Sequence, residues 1–275
     1  MNATYNPPVQ ISLRTKSFAV FARTGSGAYD RRDDKNREGH MTSNPIRPDV
    51  AERVLQRRGQ FNTISRIAAD KTALIVVDMQ NYFVEPGAPV EVASARAIVP
   101  AINRLTAAAR AAGSAVVWIQ MTHDENDLKS WSVFYERLNS AERTQGDLDG
   151  LRAGSHMHAL WHELDTAPGD LWVPKRRYSA FLSESSNLAE ILRARGNENV
   201  VVVGTLTNVC CMTTAIDAMM MNFRMIMVSD ANAARIEDHH LATLNNVFET
   251  FGDVRTAEET IELIRQGAVK AHAAE

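Results

Sequence analysis

Cys210 is the residue best placed in this chain to act as a nucleophile. It follows a run of four valines, residues 200–203, and Gly204, which ends that apolar segment. A segment rich in small residues and helix formers comes next, so Cys210 lies where a buried strand gives way to a helix. The unpaired N–H groups and positive dipole end of a helix N-terminus favour a thiolate, the reactive form of cysteine. The alternative is that Cys210 is a small inert core residue, as most buried cysteines are.

Two more polar residues follow apolar strands. Asp78 ends the apolar segment 73–77, and Lys175 follows the shorter segment 171–174. The carboxyl ends of parallel strands face the crevice in which open α/β sheets bind ligands, so both side chains are candidates for the same site as the cysteine. Asp78 could instead cap the next turn, and Lys175 could belong to a solvated charge cluster.

The elements that must position these residues alternate regularly along the chain. We predict strands at residues 74–78, 115–120, 171–174, 200–204 and 225–229. We predict helices at residues 49–58, 94–112, 128–140, 156–164, 187–195, 209–222, 238–250 and 257–266, with a loop at 144–150. Strands that alternate with helices indicate a parallel sheet covered on both faces, in the α/β class.

Taken together, the three segments resemble the isochorismatase-like cysteine hydrolases. In that family an Asp lies in a V-D-x-Q segment, here residues 77–80, and a Lys follows a short strand, here residues 174–175. The Cys closes a G-x-x-T-x-x-C segment, here residues 204–210. The resemblance covers residues 63–264 and implies a three-layer α/β/α fold, Rossmann-like, with a mostly parallel sheet of about six strands.

The family resemblance also implies a role for each of these residues. Cys210 is expected to be the nucleophile, Asp78 the base that takes its proton, and Lys175 the cation that orients Asp78. The backbone N–H groups of Cys210 and Leu206 are expected to form an oxyanion hole, next to a cis peptide between Thr205 and Leu206. The product of the first step is then a thioester, which water hydrolyses.

A finer resemblance links this chain to the ureidoacrylate amidohydrolases. It is carried by residues 174–181, Pro-Lys-Arg-Arg-Tyr-Ser-Ala-Phe, and by residues 207–210, Thr-Asn-Val-Cys. It implies a small substrate with an amide, ureido or carbamoyl group whose C–N bond is cleaved.

Several polar and aromatic residues near the predicted strand ends are candidates for substrate binding. Arg177 could pair with a substrate carboxylate, since its planar fork suits that geometry, although a surface salt bridge would explain it equally well. Aromatic residues at strand ends belong to the core as often as to a substrate wall. The other candidates are Gln80, Asn81, Phe83, Trp118, Tyr178 and Phe181.

The histidines raise the question of a metal site, because imidazole is a common metal ligand. The nicotinamidases of the same family carry a metal on a D-x-H…H segment after the second strand. The register here places Met121 at the first position, His123 at the third and Lys129 where the later histidine would fall. We therefore predict no metal and no cofactor. The other histidines considered are His156, His158, His162, His239 and His240.

Composition limits the remaining possibilities. The chain has 275 residues and a formal net charge of −3, and its pI near 6.3 argues against nucleic acid as a partner. No run of about 18 or more apolar residues exists, so we expect no membrane partner. Two adjacent cysteines favour a reducing, cytoplasmic location. We predict a disordered extension at residues 1–45, a hydrolase domain at residues 46–275, and a homo-oligomer, either a dimer or a tetramer.

Four functional classes are therefore considered. The first is a cysteine amidohydrolase acting on a small molecule, and Cys210 favours it. The second is a vinyl-ether hydrolase of the isochorismatase type, whose chemistry needs no thiol. The third is a metal-dependent nicotinamidase, and the fourth is a non-catalytic binding module.

Overall fold

A six-stranded parallel sheet forms the centre of the molecule. The computed structural model describes residues 45–272, with the side chains described as far as residue 268. The strand order is β3-β2-β1-β4-β5-β6, and every neighbouring pair is parallel. The strands are β1 (Thr72–Val77), β2 (Ala115–Met121), β3 (Leu171–Lys175), β4 (Asn199–Thr205), β5 (Arg224–Ala233) and β6 (Asp253–Arg255). The predicted fold class is thus confirmed, while the extension predicted at residues 1–45 lies outside the described residues apart from Pro45.

The two central strands explain why the sheet forms where it does. Every residue of β1 and β4 is buried, and both strands consist mainly of valine, isoleucine and leucine. Such continuous apolar runs are typical of strands covered on both faces. The edge strand β3 differs, because its residues alternate between buried and exposed positions and Trp172 is 49% exposed.

Helices flank the sheet in two layers. Helices α3 and α9 pack together, whereas α8 packs against α1 and α7, and members of both sets contact β5. The helices are α1 (Pro48–Arg58), α2 (Asn81–Val84), α3 (Ala95–Ala111), α4 (Glu125–Ser130), α5 (Ala141–Gly150), α6 (Leu188–Ala194), α7 (Met212–Met220), α8 (Glu237–Thr250) and α9 (Ala257–His272), and two π-helical turns span Val133–Leu138 and Thr207–Cys211. Within residues 45–272, no helix combines the length and apolarity needed to cross a membrane.

The prediction of a helix at residues 156–164 is wrong. This segment consists mainly of turns, and several of its backbone carbonyls accept hydrogen bonds from other parts of the chain in addition to those within its own turns. His156 O accepts from Asn81 Nδ2 at 2.8 Å, and Met157 O accepts from Tyr82 N at 2.9 Å. These tertiary hydrogen bonds outweigh the local helix pattern.

The prediction of a loop at residues 144–150 is also wrong, because these residues belong to α5. Ser140 caps this helix by accepting a hydrogen bond from Arg143 N at 3.1 Å. The helix buries Asp147 and Leu148 on its inner side, and that burial overrides the two glycines in the segment. The helix predicted at residues 128–140 is divided between the end of α4 and a π-helical turn.

Strand register brings the ends of three strands to one edge of the sheet. Val77, the last residue of β1, pairs with Ile119 of β2 and with Gly204 of β4. On the other side of β2, Met121 pairs with Lys175 at the end of β3. The residues that follow β1, β3 and β4 therefore emerge side by side.

Candidate active site

Asp78, Lys175 and Cys210 meet at this edge of the sheet. Lys175 Nζ lies 2.8 Å from Asp78 Oδ2 and 3.4 Å from Cys210 Sγ. Asp78 and Lys175 are fully buried, and Cys210 is 2% exposed. A carboxylate, an ammonium and a thiol thus form one buried cluster, with the ammonium in contact with both partners.

The backbone and the neighbouring strand hold Asp78 in place. Its Oδ1 atom accepts a hydrogen bond from Met121 N at 3.1 Å, and its carbonyl oxygen accepts one from Thr205 Oγ1 at 2.9 Å. Asp78 adopts a φ of 50°, a left-handed conformation that aspartate tolerates better than most residues. Strands β2 and β4 therefore both fix the position of this carboxylate.

Gly204 allows the backbone of β4 to approach β1 closely. Its φ is 115°, and a Cβ atom at this position would lie 2.2 Å from Val77 O. Only glycine fits this combination of conformation and contact. The chain then passes through a cis peptide between Thr205 and Leu206, as the family resemblance implies.

Cys210 lies in the π-helical turn that precedes α7. Leu206 O accepts hydrogen bonds from Val209 N at 3.0 Å and from Cys211 N at 3.1 Å, which closes the turn around the thiol. The oxyanion hole assigned to the N–H groups of Leu206 and Cys210 stays a prediction.

The electrostatic environment keeps the resting thiol protonated. Burial raises the pKa of the Cys210 thiol, and the adjacent Lys175 ammonium opposes this rise only in part. Burial also disfavours the charge of Lys175, but Asp78 and Cys210 outweigh that effect and raise the pKa of Lys175. The positive end of the helix favours a thiolate, as the sequence argument stated, but the cost of burying a charge opposes it, and that cost was left out of the sequence argument.

A cavity of about 230 Å³ opens onto Cys210. Aromatic side chains form much of its wall, and several of them stack on one another: Trp131 and Phe134 lie 4.2 Å apart between ring centroids, and Tyr178 meets Trp131 edge-on at 5.1 Å. The lining residues are Tyr82, Phe83, Val90, Met121, His123, Trp131, Phe134, Asn139, Arg143, Asp147, Leu151, Tyr178, Leu206, Val209, Cys210 and Arg235. This shape suits a small, flat molecule next to the thiol.

Two of the predicted substrate-binding residues, Phe83 and Tyr178, line this cavity. Gln80 and Asn81 do not, because their side-chain amides bind the loop that contains residues 156–158. Gln80 Nε2 donates to Met121 O at 3.0 Å and to His158 O at 2.9 Å. These two residues therefore hold this loop in place and do not line the cavity themselves.

Three other predicted substrate-binding residues are placed elsewhere. Trp118 is fully buried and donates from Nε1 to Asp170 at 2.8 Å. Phe181 is buried with its ring 5.4 Å from that of Phe223. Arg177 donates to Ser130 O at 2.9 Å and lies over the Trp131 ring, so its guanidinium supports the wall instead of facing the cavity.

Sequence reasoning missed six polar residues of the cavity wall, namely Tyr82, His123, Asn139, Arg143, Asp147 and Arg235, and two of them follow strand ends. His123 comes two residues after the end of β2, and Arg235 comes two residues after the end of β5. The strand-end rule that identified Asp78 and Lys175 would have identified both. His123 was considered only as a metal ligand. Within residues 45–272, no group of three or more His, Cys, Asp or Glu side chains is arranged to hold a metal ion.

The parallel sheet with its site at the strand ends defines an α/β enzyme, and comparison with known proteins identifies the family. Residues 72–259 match the isochorismatase domain. The chain belongs to the isochorismatase family and is a hydrolase. It is similar to the ureidoacrylate amidohydrolase RutB of Rhizobium rhizogenes, with 35% identity over 217 residues that cover 72% of this chain and 85% of the relative.

Solved structures show the same fold. A cysteine hydrolase from Pseudomonas syringae pv. phaseolicola superposes with a TM-score of 0.65 and 30% identity, covering 74% of this chain and 97% of the other. N-carbamoylsarcosine amidase from Thermoplasma acidophilum superposes with a TM-score of 0.54 and 28% identity, covering 68% and 97%.

Proposed function

We propose that this protein is a cysteine-dependent amidohydrolase that cleaves the C–N bond of a small amide, ureido or carbamoyl compound. The observation that carries this proposal is the position of Lys175 Nζ, 2.8 Å from Asp78 and 3.4 Å from Cys210, at the base of a cavity. A nucleophile, a proton acceptor and a fixed cation are the groups that acyl transfer requires.

The protonated resting thiol defines the first step. Asp78 takes the proton from Cys210 while the sulfur attacks the substrate carbonyl carbon, and the N–H groups of Leu206 and Cys210 stabilise the oxyanion. The tetrahedral intermediate then collapses, the C–N bond breaks, and Asp78 gives its proton to the departing nitrogen. A thioester remains on Cys210.

Water completes the cycle. Asp78 takes a proton from a water molecule while the water oxygen attacks the thioester carbon. The C–S bond then breaks, and the same proton returns from Asp78 to the Cys210 sulfur. Lys175 remains an ammonium throughout and orients Asp78, since its partners raise its pKa.

The substrate proposed is similar to ureidoacrylate, because the curated relatives are named for that activity. An acrylate carries a carboxylate, and the cavity contains two arginines. Arg143 already pairs with Asp147 at 2.7 Å, whereas Arg235 makes no hydrogen bond or ion pair within residues 45–272. We therefore assign the substrate carboxylate to Arg235 in place of Arg177.

A panel assay tests this function. Ammonia release is measured with ureidoacrylate, biuret, N-carbamoyl amino acids, maleamate and nicotinamide, with and without a chelator. We expect ureidoacrylate-like compounds to lead, chelation to have no effect, and Arg235→Met to raise KM for the carboxylate-bearing substrates but not for neutral biuret. Nicotinamide as the best substrate, together with loss of activity on chelation, would contradict the proposal.

The cytoplasmic location and the homo-oligomer are proposals as well. Both cysteines are free and buried, which supports a reducing compartment. Light scattering of the purified protein measures the oligomeric state directly, and a monomer would contradict the second proposal.

A further inference from the structure

Thr207 begins the π-helical turn that carries Cys210, and its side chain binds this turn to helix α8. Thr207 is fully buried, and its Oγ1 atom lies 2.9 Å from Nδ1 of His240. Within residues 45–272 this hydroxyl makes no other hydrogen bond. The carbonyl of Thr207 accepts a hydrogen bond from Met212 N, which closes the far end of the turn. The turn is therefore linked to α8 through the contact between Thr207 and His240.

The buried face of α8 positions the His240 ring. His240, Leu244 and Val247 are spaced by four and three residues, so their side chains share one face of the helix. Leu244 and Val247 are fully buried, and α8 packs against β5. His240 N also donates to Ile236 O at 3.2 Å, one helical turn earlier and next to Arg235 of the cavity wall. The His240 ring is thus fixed to the same helix start that carries Arg235.

The His240 ring is neutral at neutral pH. Burial lowers its pKa from the ordinary value near 6.5, and the charge of Glu237 and a contact with the Ser229 backbone oppose this effect only in part. A hydroxyl can either donate to an imidazole nitrogen or accept from it, so the contact with Thr207 forms in both tautomers of the neutral ring. His240 therefore adds no charge to the site, and its influence is geometric.

We propose that His240 is a positioning residue, which fixes Thr207 and through it the turn that presents the Cys210 thiol to the substrate. The N–H groups assigned to the oxyanion hole lie in this turn or directly before it, so they are fixed together with the thiol. The same contact sets the distance between the nucleophile and Arg235, to which the substrate carboxylate is assigned. This inference rests on the proposed function and adds to it a residue outside the cavity lining.

Loss of the contact should impair the chemical step more than substrate binding. The aromatic wall that receives the substrate includes Trp131, Phe134 and Tyr178, which belong to other segments and stay in place. The thiol and the oxyanion donors move with the turn, and a misplacement of about 1 Å at the reacting atoms can lower a rate by about 10²-fold. The expected signature is a lower kcat at nearly constant KM.

Four single variants separate this role from packing. His240→Leu removes the contact and keeps an apolar side chain, whereas His240→Asn keeps a polar atom near the place of Nδ1. Thr207→Val removes the hydroxyl with little change of shape. His239→Leu is the matched control, because His239 is the exposed neighbour on the same helix.

Hydrogen exchange of the free protein, followed by mass spectrometry, measures the turn directly. The N–H groups of Val209, Cys211 and Met212 are hydrogen-bonded across the turn. We expect His240→Leu to speed exchange in the peptide that covers residues 206–212 by about 5- to 100-fold, the effect of one buried hydrogen bond. His240→Asn and His239→Leu should leave this exchange within about threefold of the wild type.

Steady-state kinetics with the best substrate of the panel give the second measurement. We expect His240→Leu to lower kcat by about 10- to 100-fold and to change KM by less than about threefold. His240→Asn should recover most of kcat. The double variant of His240→Leu with Thr207→Val should lose no more than the worse of its two single variants, because both substitutions remove the same contact.

Four outcomes would overturn the proposal. The first is unchanged exchange at residues 206–212 in His240→Leu. The second is faster exchange throughout the molecule with no rescue by His240→Asn, which would make His240 a packing residue. The third is a rise in KM at constant kcat, and the fourth is a double variant whose loss is the product of the two single losses. Hydrogen exchange needs no turnover, so an inactive panel would refute the proposed function and still leave this test of His240 intact.

Discussion

Replacement of Lys175 by methionine tests the physical account of the candidate site most directly. The substitution keeps the length and apolar volume of the side chain but removes the ammonium that lies between Asp78 and Cys210. Both partners are buried in the wild type, so water cannot replace the lost contact without opening the site. The expected result is a protein that is both less stable and less reactive.

The expected magnitude follows from the burial of the pair. Removing one partner of a fully buried ion pair leaves an uncompensated charge and costs about 3–5 kcal/mol. A change of 1 kcal/mol shifts the melting temperature of a domain of this size by about 2–4 °C, so the expected fall is roughly 6–20 °C. Labelling of Cys210 by iodoacetamide at pH 7 should also become slower, because Lys175 is the main influence that lowers the pKa of this thiol against the effect of burial.

A double variant separates the charge effect from lost packing. Asp78→Asn with Lys175→Met removes both charges, so it should regain most of the stability lost in the single variant and remain inactive. The double-mutant cycle is completed by thermal melting of the wild type, both single variants and the double variant. A single variant Lys175→Met within about 1 kcal/mol of the wild type, or a double variant no more stable than that single variant, would refute the reasoning.

The other predictions concern the residues around this pair. Cys210→Ala should abolish turnover, whereas Cys211→Ala should leave most of it, because Cys211 is fully buried and does not line the cavity; the reverse result would contradict the assignment. Asp78→Asn should lower kcat by about 10²- to 10⁴-fold through loss of the proton acceptor, and retention of wild-type kcat would rule out that role. Gly204→Ala should cost about 3 kcal/mol in urea unfolding because of the 2.2 Å approach to a carbonyl oxygen, whereas the control Gly146→Ala, which meets no atom within 4 Å, should be neutral or stabilising.

The sequence predicts those parts of the molecule that depend on local pattern and strand ends. Asp78, Lys175 and Cys210 each follow an apolar strand, and parallel pairing brings such ends together wherever the strands lie in the sheet. The distances between the three side chains require the register, which is a tertiary property.

The wall of the cavity was harder to predict because side-chain direction depends on contacts far along the chain. Trp118 and Phe83 both lie near strand ends, yet one binds Asp170 inside the protein and the other faces the cavity. Arg177 carries the expected charge, but Ser130 and Trp131 from a distant segment hold it. The pattern of residues along the sequence does not show which distant residues a side chain will contact.

The protonated resting state of the thiol has a consequence for oxidative damage. Peroxide attacks the thiolate, so a cysteine is oxidised to the sulfenic and sulfinic acids in proportion to its thiolate fraction and its accessibility. Burial raises the pKa of both Cys210 and Cys211. It also shields Cys211, which does not line the cavity, whereas Cys210 is reached from the cavity. Redox-sensing cysteines, by contrast, have a low pKa and are accessible to solvent, which makes them easy to oxidise. In the proposed mechanism Cys210 loses its proton only during turnover, so the idle enzyme is expected to tolerate peroxide and to be most vulnerable while it is working.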